Sequence, residues 1–123
     1  MKNLVVLFSD SKLEYYDKEL FRNTSCKEFV LQWAFSVKDF AFLSIYVSSE
    51  KDKKTFLALI EKIDCHKKNS VNIIVKDEWK VADLMNQIKI DSANFDNIVF
   101  GWADSPFYNT ELTNKLLDLH TES

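Results

Sequence analysis

Four short apolar runs recur along this chain about thirty residues apart, each followed by a polar turn and an amphipathic stretch, and few folds accommodate that rhythm. Residues 4–8 are continuously apolar, the pattern of a strand buried on both of its faces. Residues 42–47, 71–75 and 98–102 repeat the theme. Between them, apolar residues return at helical spacing. Cys26, Phe29, Val30, Trp33 and Val37 form one such stripe, opened by Ser25-Cys26-Lys27-Glu28, which has the S-x-x-E form of a capping box. Phe56, Leu59, Ile60 and Ile63 form a second behind Ser49, and Val81, Leu84, Met85 and Ile88 a third. Leu112, Leu116 and Leu119 form a fourth, in a helix starting at Asn109 or Thr110. Repeated strand–helix–strand units of this length predict right-handed crossovers that place helices on both faces of a parallel sheet. The expected fold is therefore an α/β, three-layer αβα sandwich with four mainly parallel strands, Rossmann-like, forming a single domain over residues 1–123.

Composition narrows the functional classes. Basic residues number 16 and acidic residues 19, and the densest basic runs (residues 51–54 and 67–68) are interrupted or flanked by acids. No basic stripe exists of the kind a nucleic-acid binder gathers. The apolar runs are too short to span a bilayer, and the first ends at Ser9-Asp10 with no small-residue cleavage site behind it. The expected location is the cytoplasm. Cys26 and Cys65 are the only cysteines and have no metal-site spacing, so they read as reduced structural thiols. His66 and His120 are isolated near helix ends and read as dipole partners.

In a parallel sheet the loops after the strands gather along one edge, where ligands bind at the point where strand order reverses. The candidate chemistry thus lies in Ser9-Asp10-Ser11, Lys76-Asp77-Glu78 and Ala103-Asp104-Ser105-Pro106, with Ser48-Ser49-Glu50 a weaker fourth. Asp77 also reads as an N-cap of the next helix. Tyr15, Tyr16 and Phe21, in a long polar loop from Ser9 to Thr24, read as a cover for the sheet edge, and Trp102 as core. A receiver-domain pattern fails, because only Asp10 and Asp77 partly match its acidic positions.

Asp104 is the leading candidate. It leaves the last strand three residues after Gly101, with Pro106 fixing the turn behind. A carboxylate there either ligates Mg²⁺, which takes one or two carboxylates plus phosphate oxygens, or caps the turn through a backbone amide.

The stretch Asp96-Asn97-Ile98-Val99-Phe100-Gly101-Trp102-Ala103-Asp104-Ser105-Pro106-Phe107-Tyr108-Asn109-Thr110-Glu111-Leu112 resembles the mid-domain signature of cytidylyltransferase-like nucleotidyltransferases, of the nucleotide-diphospho-sugar transferase superfamily. In that signature a strand ends in Asp-x-Pro and a helix opens with a Pro-Glu-Leu-like run. Residues 3–8 and 24–31 resemble the family's first strand and the helix after its nucleotide loop. The chain is also similar to the nucleotidyltransferase-like region that opens spiro-SPASM radical-SAM proteins. The resemblance implies a strand order of 3-2-1-4, Mg²⁺ on Asp104, and a nucleotide or nucleotide-sugar near Ser9, Asp10, Ser11 and Lys12. It further implies that the chain is the amino-terminal part of a larger domain.

The family cradles phosphate on a glycine-rich loop, because backbone amides must approach the phosphate closely. Here the corresponding loop has no glycine and carries Asp10 and Glu14, with Lys12 between them the sole compensating charge. A catalytically inactive domain is therefore expected, and a non-catalytic scaffold or partner-binding module of the same fold is the alternative. An exposed edge on the fourth strand would pair with another chain, so a homodimer through that edge is also expected.

Overall fold

A computed structural model describes residues 2–9, 19–21, 24–63, 68–103 and 110–122. Ten elements follow in order: β1 (Asn3–Phe8), β2 (Glu19–Phe21), β3 (Thr24–Ser25), α1 (Cys26–Phe35), β4 (Phe40–Val47), α2 (Glu50–Ile63), β5 (Val71–Val75), α3 (Val81–Asp91), β6 (Asn97–Trp102) and α4 (Thr110–Glu122). A short 3₁₀ turn, Lys68–Ser70, leads into β5.

The main sheet has the order β5-β4-β1-β6, and every neighbouring pair is parallel. Counting only these four strands, the order is the expected 3-2-1-4. β2 and β3 form a small antiparallel pair where the sequence reads simply as a polar loop. Two- and three-residue strands carry too little periodicity to be seen in advance.

β1 lies between β4 and β6, so both of its edges are paired, and helices cover both of its faces; Leu4, Val5, Val6 and Leu7 are fully buried. Strand alternation sends Val5 and Leu7 to one face, where they join Leu43, Ile45 and Val47 of β4. Against them pack Val30, Leu31, Trp33 and Ala34 of α1, Phe56 and Ile60 of α2, and Leu117 of α4. On the opposite face Leu4, Val6 and Tyr46 meet Leu84 and Ile88 of α3, with Trp79 and Phe95 at the ends. Each such side chain taken from water contributes about 1.5–3 kcal/mol.

The amino edge of the sheet is pinned by a polar lattice. Asp39 precedes β4 with φ 54°, a left-handed conformation that Asp tolerates better than most residues. Its carbonyl accepts from the Asn3 amide at 3.0 Å. The Asn3 side chain donates to the Lys38 carbonyl at 2.8 Å and accepts from Asn97 Nδ2 at 2.9 Å. Three strands are thereby held in register at one end, which also levels their opposite ends. α4 is tied to α1 by Trp33 Nε1, which donates to Thr113 Oγ1 at 3.0 Å, and to the turn after α1 by the Lys38 amide, which donates to Asn114 Oδ1 at 2.8 Å.

Several expectations need correction. α1 stops at Phe35, and Val37 is buried in the turn that follows rather than on the helix. In α3 only Leu84 and Ile88 of the expected stripe pack inward, while Val81 and Met85 are exposed. In α4 the inward residue is Leu117, and Leu112, Leu116 and Leu119 all face outward. Trp102 is not core: it is 49% exposed, because no described helix covers β6 on that face.

Candidate functional site at the carboxyl edge of the sheet

From β1 the chain winds outward through β4 to β5, with α1 and α2 on one face. It then returns through α3 on the other face to place β6 on the far side of β1. The reversal of strand order therefore falls between β1 and β6, and their carboxyl ends define the crevice where an α/β sheet binds ligands.

Hydrogen bonds set these ends side by side. The Ala103 amide donates to the Phe8 carbonyl at 2.9 Å, and the Ser9 amide donates to the Tyr46 carbonyl at 3.0 Å. The Lys76 amide donates to the Val47 carbonyl at 3.0 Å, continuing the row to β5. Ser9 and Ala103 are both buried. Among the described residues the Ser9 hydroxyl has no hydrogen-bond partner, and a buried polar group left unsatisfied in this way costs free energy. Beside them Trp102 packs edge-on against Phe8, with ring centroids 5.2 Å apart, and against Phe100, 5.5 Å apart. Half of the indole stays open to solvent at the strand end. Read from the sequence, Trp102 passes for core; its exposure is settled by the missing cover over β6.

The other two strand ends are committed to packing. Lys76 forms an ion pair with Asp83 at 2.9 Å and lies 5.8 Å from the Trp79 ring centre. Trp79 stacks on Tyr46 with centroids 5.0 Å apart, and its indole donates to the Val47 carbonyl at 2.8 Å. Asp77 does not cap α3. Lys80 occupies that position, and its amide donates to Asp83 Oδ2 at 3.2 Å. A carboxylate in the first turn of the helix has taken the role expected of one four residues before its first residue. Lys76 and the Lys80 amide together hold the Asp83 carboxyl below the usual carboxylate range. Ser49 accepts from the Asp52 amide at 3.2 Å and so caps α2, which accounts for the Ser48-Ser49-Glu50 turn.

Of the expected nucleotide-loop residues, Ser9 is described, while Asp10, Ser11 and Lys12 lie outside the described residues, as do Asp104, Tyr15, Tyr16, Cys65 and His66. Asp104 follows directly on Ala103, whose amide is bonded to β1. Among the described residues no group of three or more His, Cys, Asp or Glu side chains comes together. No described helix is long and apolar enough to cross a membrane.

A four-stranded parallel sheet in this order, flanked by helices on both faces, is a Rossmann-like αβα sandwich. The chain superposes on the structure of a cytidylyltransferase from Leptospira borgpetersenii serovar Hardjo-bovis (strain JB197) with a TM-score of 0.70 at 16% sequence identity. The match covers 100% of this chain and 50% of that one, so the chain spans half the length of that structure. At this identity the likeness shows the fold. No protein-family model and no curated protein sequence matches the chain.

Proposed function

We propose that this domain binds a nucleotide or nucleotide-sugar, together with Mg²⁺, at the carboxyl ends of β1 and β6. The observation that carries the reading is the juxtaposition of Ser9 with Ala103 at the strand-order reversal, with the Ser9 hydroxyl buried and unpartnered. A phosphate or ribose oxygen arriving there would give that hydroxyl the partner it lacks. Residues Ser9, Asp10, Ser11 and Lys12 would line the nucleotide, and Asp104 would hold the metal.

The donor set fits Mg²⁺, which needs only one or two protein carboxylates when phosphate oxygens and water complete its octahedron. The bound ion would neutralise phosphate charge that Asp10 otherwise repels. The first loop lacks the glycines that let backbone amides cradle a phosphate chain. Binding without turnover is therefore the expected behaviour of this chain. The reading includes a cytoplasmic setting, where Cys26 and Cys65 stay reduced.

A second reading, a non-catalytic module that recruits a partner, is favoured by the exposed apolar side chains of β6 and α4. Calorimetric titration of CTP and the other nucleoside triphosphates, with and without Mg²⁺, separates the two. The nucleotide reading expects metal-dependent heat that disappears in Asp104→Ala. Absence of binding by every nucleotide, in the presence of Mg²⁺, overturns it in favour of the partner-binding module.

A further inference from the structure

Among the described strands β6 ends the main sheet, and its outer side is built unlike a protected edge. Ala103 donates to Phe8, so the alternation of a strand turns the N–H and C=O groups of Phe100 and Ile98 away from β1 and toward the open side. The strand from Asn97 to Trp102 contains no charged residue, proline or bulge, the devices by which natural sheets discourage edge pairing. The side chains of Ile98 and Phe100 are exposed on one face. On the other face a groove of about 390 Å³ runs between the strand and α4, lined by Val99, Leu116 and Leu117 among others. Leu116 lies on an exposed stripe with Leu112 and Leu119. Open backbone and two apolar flanks thus belong to one continuous surface.

We propose that the occupant of this surface is a second copy of the same chain, its β6 pairing antiparallel with the first to give an eight-stranded sheet. A two-fold axis normal to the sheet places both copies of α4 on the same face, running antiparallel. Paired strands lie about 4.8 Å apart and packed helices about 8–10 Å apart, the spacings the two elements would take in such a pair. An extended peptide laid in the groove would satisfy the strand but leave the leucine stripe uncovered. Self-pairing brings no like charges together along β6, because the strand has none. The nearest charges on the helix, Glu111 and Lys115, already pair with each other at 3.4 Å.

The area is also of the right size. A large side chain carries on the order of 200 Å². Ile98, Phe100, Trp102, Leu112, Leu116 and Leu119, each near half exposure, therefore leave roughly 600 Å² open per copy. With the backbone and rim added, that approaches the ~800 Å² per partner of a stable interface. The pairing stands independently of whether the carboxyl edge binds a nucleotide.

Sedimentation of the 123-residue chain tests this directly. A species of twice 14.4 kDa is expected at high micromolar concentration. Phe100→Lys and Leu116→Lys should each convert it to monomer without loss of far-UV circular dichroism. Should a variant fail to fold, hydrogen exchange on the unmodified protein decides instead. The Ile98 and Phe100 amides should be protected in the assembled species and exchange freely on dilution. A wild-type monomer at every concentration overturns the proposal. So does an assembly whose Ile98 and Phe100 amides remain unprotected, and so does protection that persists unchanged at high dilution, since the chain would then cover its own edge.

Discussion

The phenol of Tyr46 donates to Asp91 Oδ2 at 2.5 Å, joining the carboxyl-terminal end of β4 to the last turn of α3 across the second face of the sheet. Gln87 Nε2 donates to the other carboxylate oxygen at 3.0 Å, and Trp79 stacks on the Tyr46 ring. Among the described residues this face has a single helix, attached to the sheet by these polar contacts as well as by Leu84 and Ile88. Tyr46→Phe should therefore destabilise the protein by about 1–3 kcal/mol, the range for a lost hydrogen bond to a charged group. Urea denaturation would measure it; an unchanged midpoint would show that α3 is held by apolar contacts alone.

The same residue predicts alkaline behaviour. Burial first, and then the hydrogen bond to Asp91, push the Tyr46 phenol well above its ordinary value. The folded state thus keeps a proton that the unfolded state gives up. Its contribution is complete below about pH 10, the ordinary phenol value, and is lost as pH rises beyond it. Spectrophotometric titration should find one of the four tyrosines ionising only as the protein unfolds. The Tyr46→Phe variant should lose that late step.

Asp83 gives the opposite dependence. Its carboxyl is lowered by the ion pair with Lys76 and by the Lys80 amide, so its contribution is present above about pH 4 and disappears as pH falls through the folded value. The protection factor of the Lys80 amide, taken against its intrinsic exchange rate at each pH, should fall in acid, and Asp83→Asn should remove most of that change at constant global stability. A uniform response along the whole helix would contradict a local cap.

Phe56 anchors α2 to the first face and is completely buried among β4, α1 and α2 residues. Replacing it with alanine should cost about 3–5 kcal/mol through lost burial and the cavity left behind. Chemical denaturation should show a large fall in midpoint. A loss under about 1 kcal/mol would mean that the helix collapses into the vacated space.

Ser9 separates stability from binding. Its hydroxyl is buried without a partner, so Ser9→Ala should be neutral or stabilising by up to about 1 kcal/mol in the ligand-free chain. The same substitution should weaken Mg²⁺-nucleotide binding. Calorimetry and thermal melting on one preparation give both answers, and a destabilised variant with unaltered binding would assign Ser9 to the core alone.

Where local periodicity carries the information, sequence and structure agree. The continuous run at residues 4–8 gave a strand with both faces buried, and Leu4 to Leu7 are indeed at the sheet centre. Ser49 caps α2, and α4 begins at Thr110. Agreement ends where a residue's role depends on what lies across from it. Asp77 was a plausible cap by its place before α3, yet the helix starts later and Asp83 reaches back instead. Ser9 was legible as a strand-end residue, but its unpartnered hydroxyl is a property of the neighbours that β4 and β6 bring to it. Asp10, Ser11, Lys12 and Asp104 belong to the candidate site by their positions in the chain, next to the strand ends that the structure does describe.

The order of apolar runs and stripes determined by itself that this chain builds a parallel sheet between helices, because side-chain period and strand–helix alternation leave little else to build. Only the tertiary structure decided which stripes are covered. Met85, Leu116 and Phe100 satisfy the same local rules as Ile88, Leu117 and Val5, and differ only in having no described layer opposite. A hydrophobic pattern states that a surface can be buried; whether it is depends on how many layers the fold supplies to meet it.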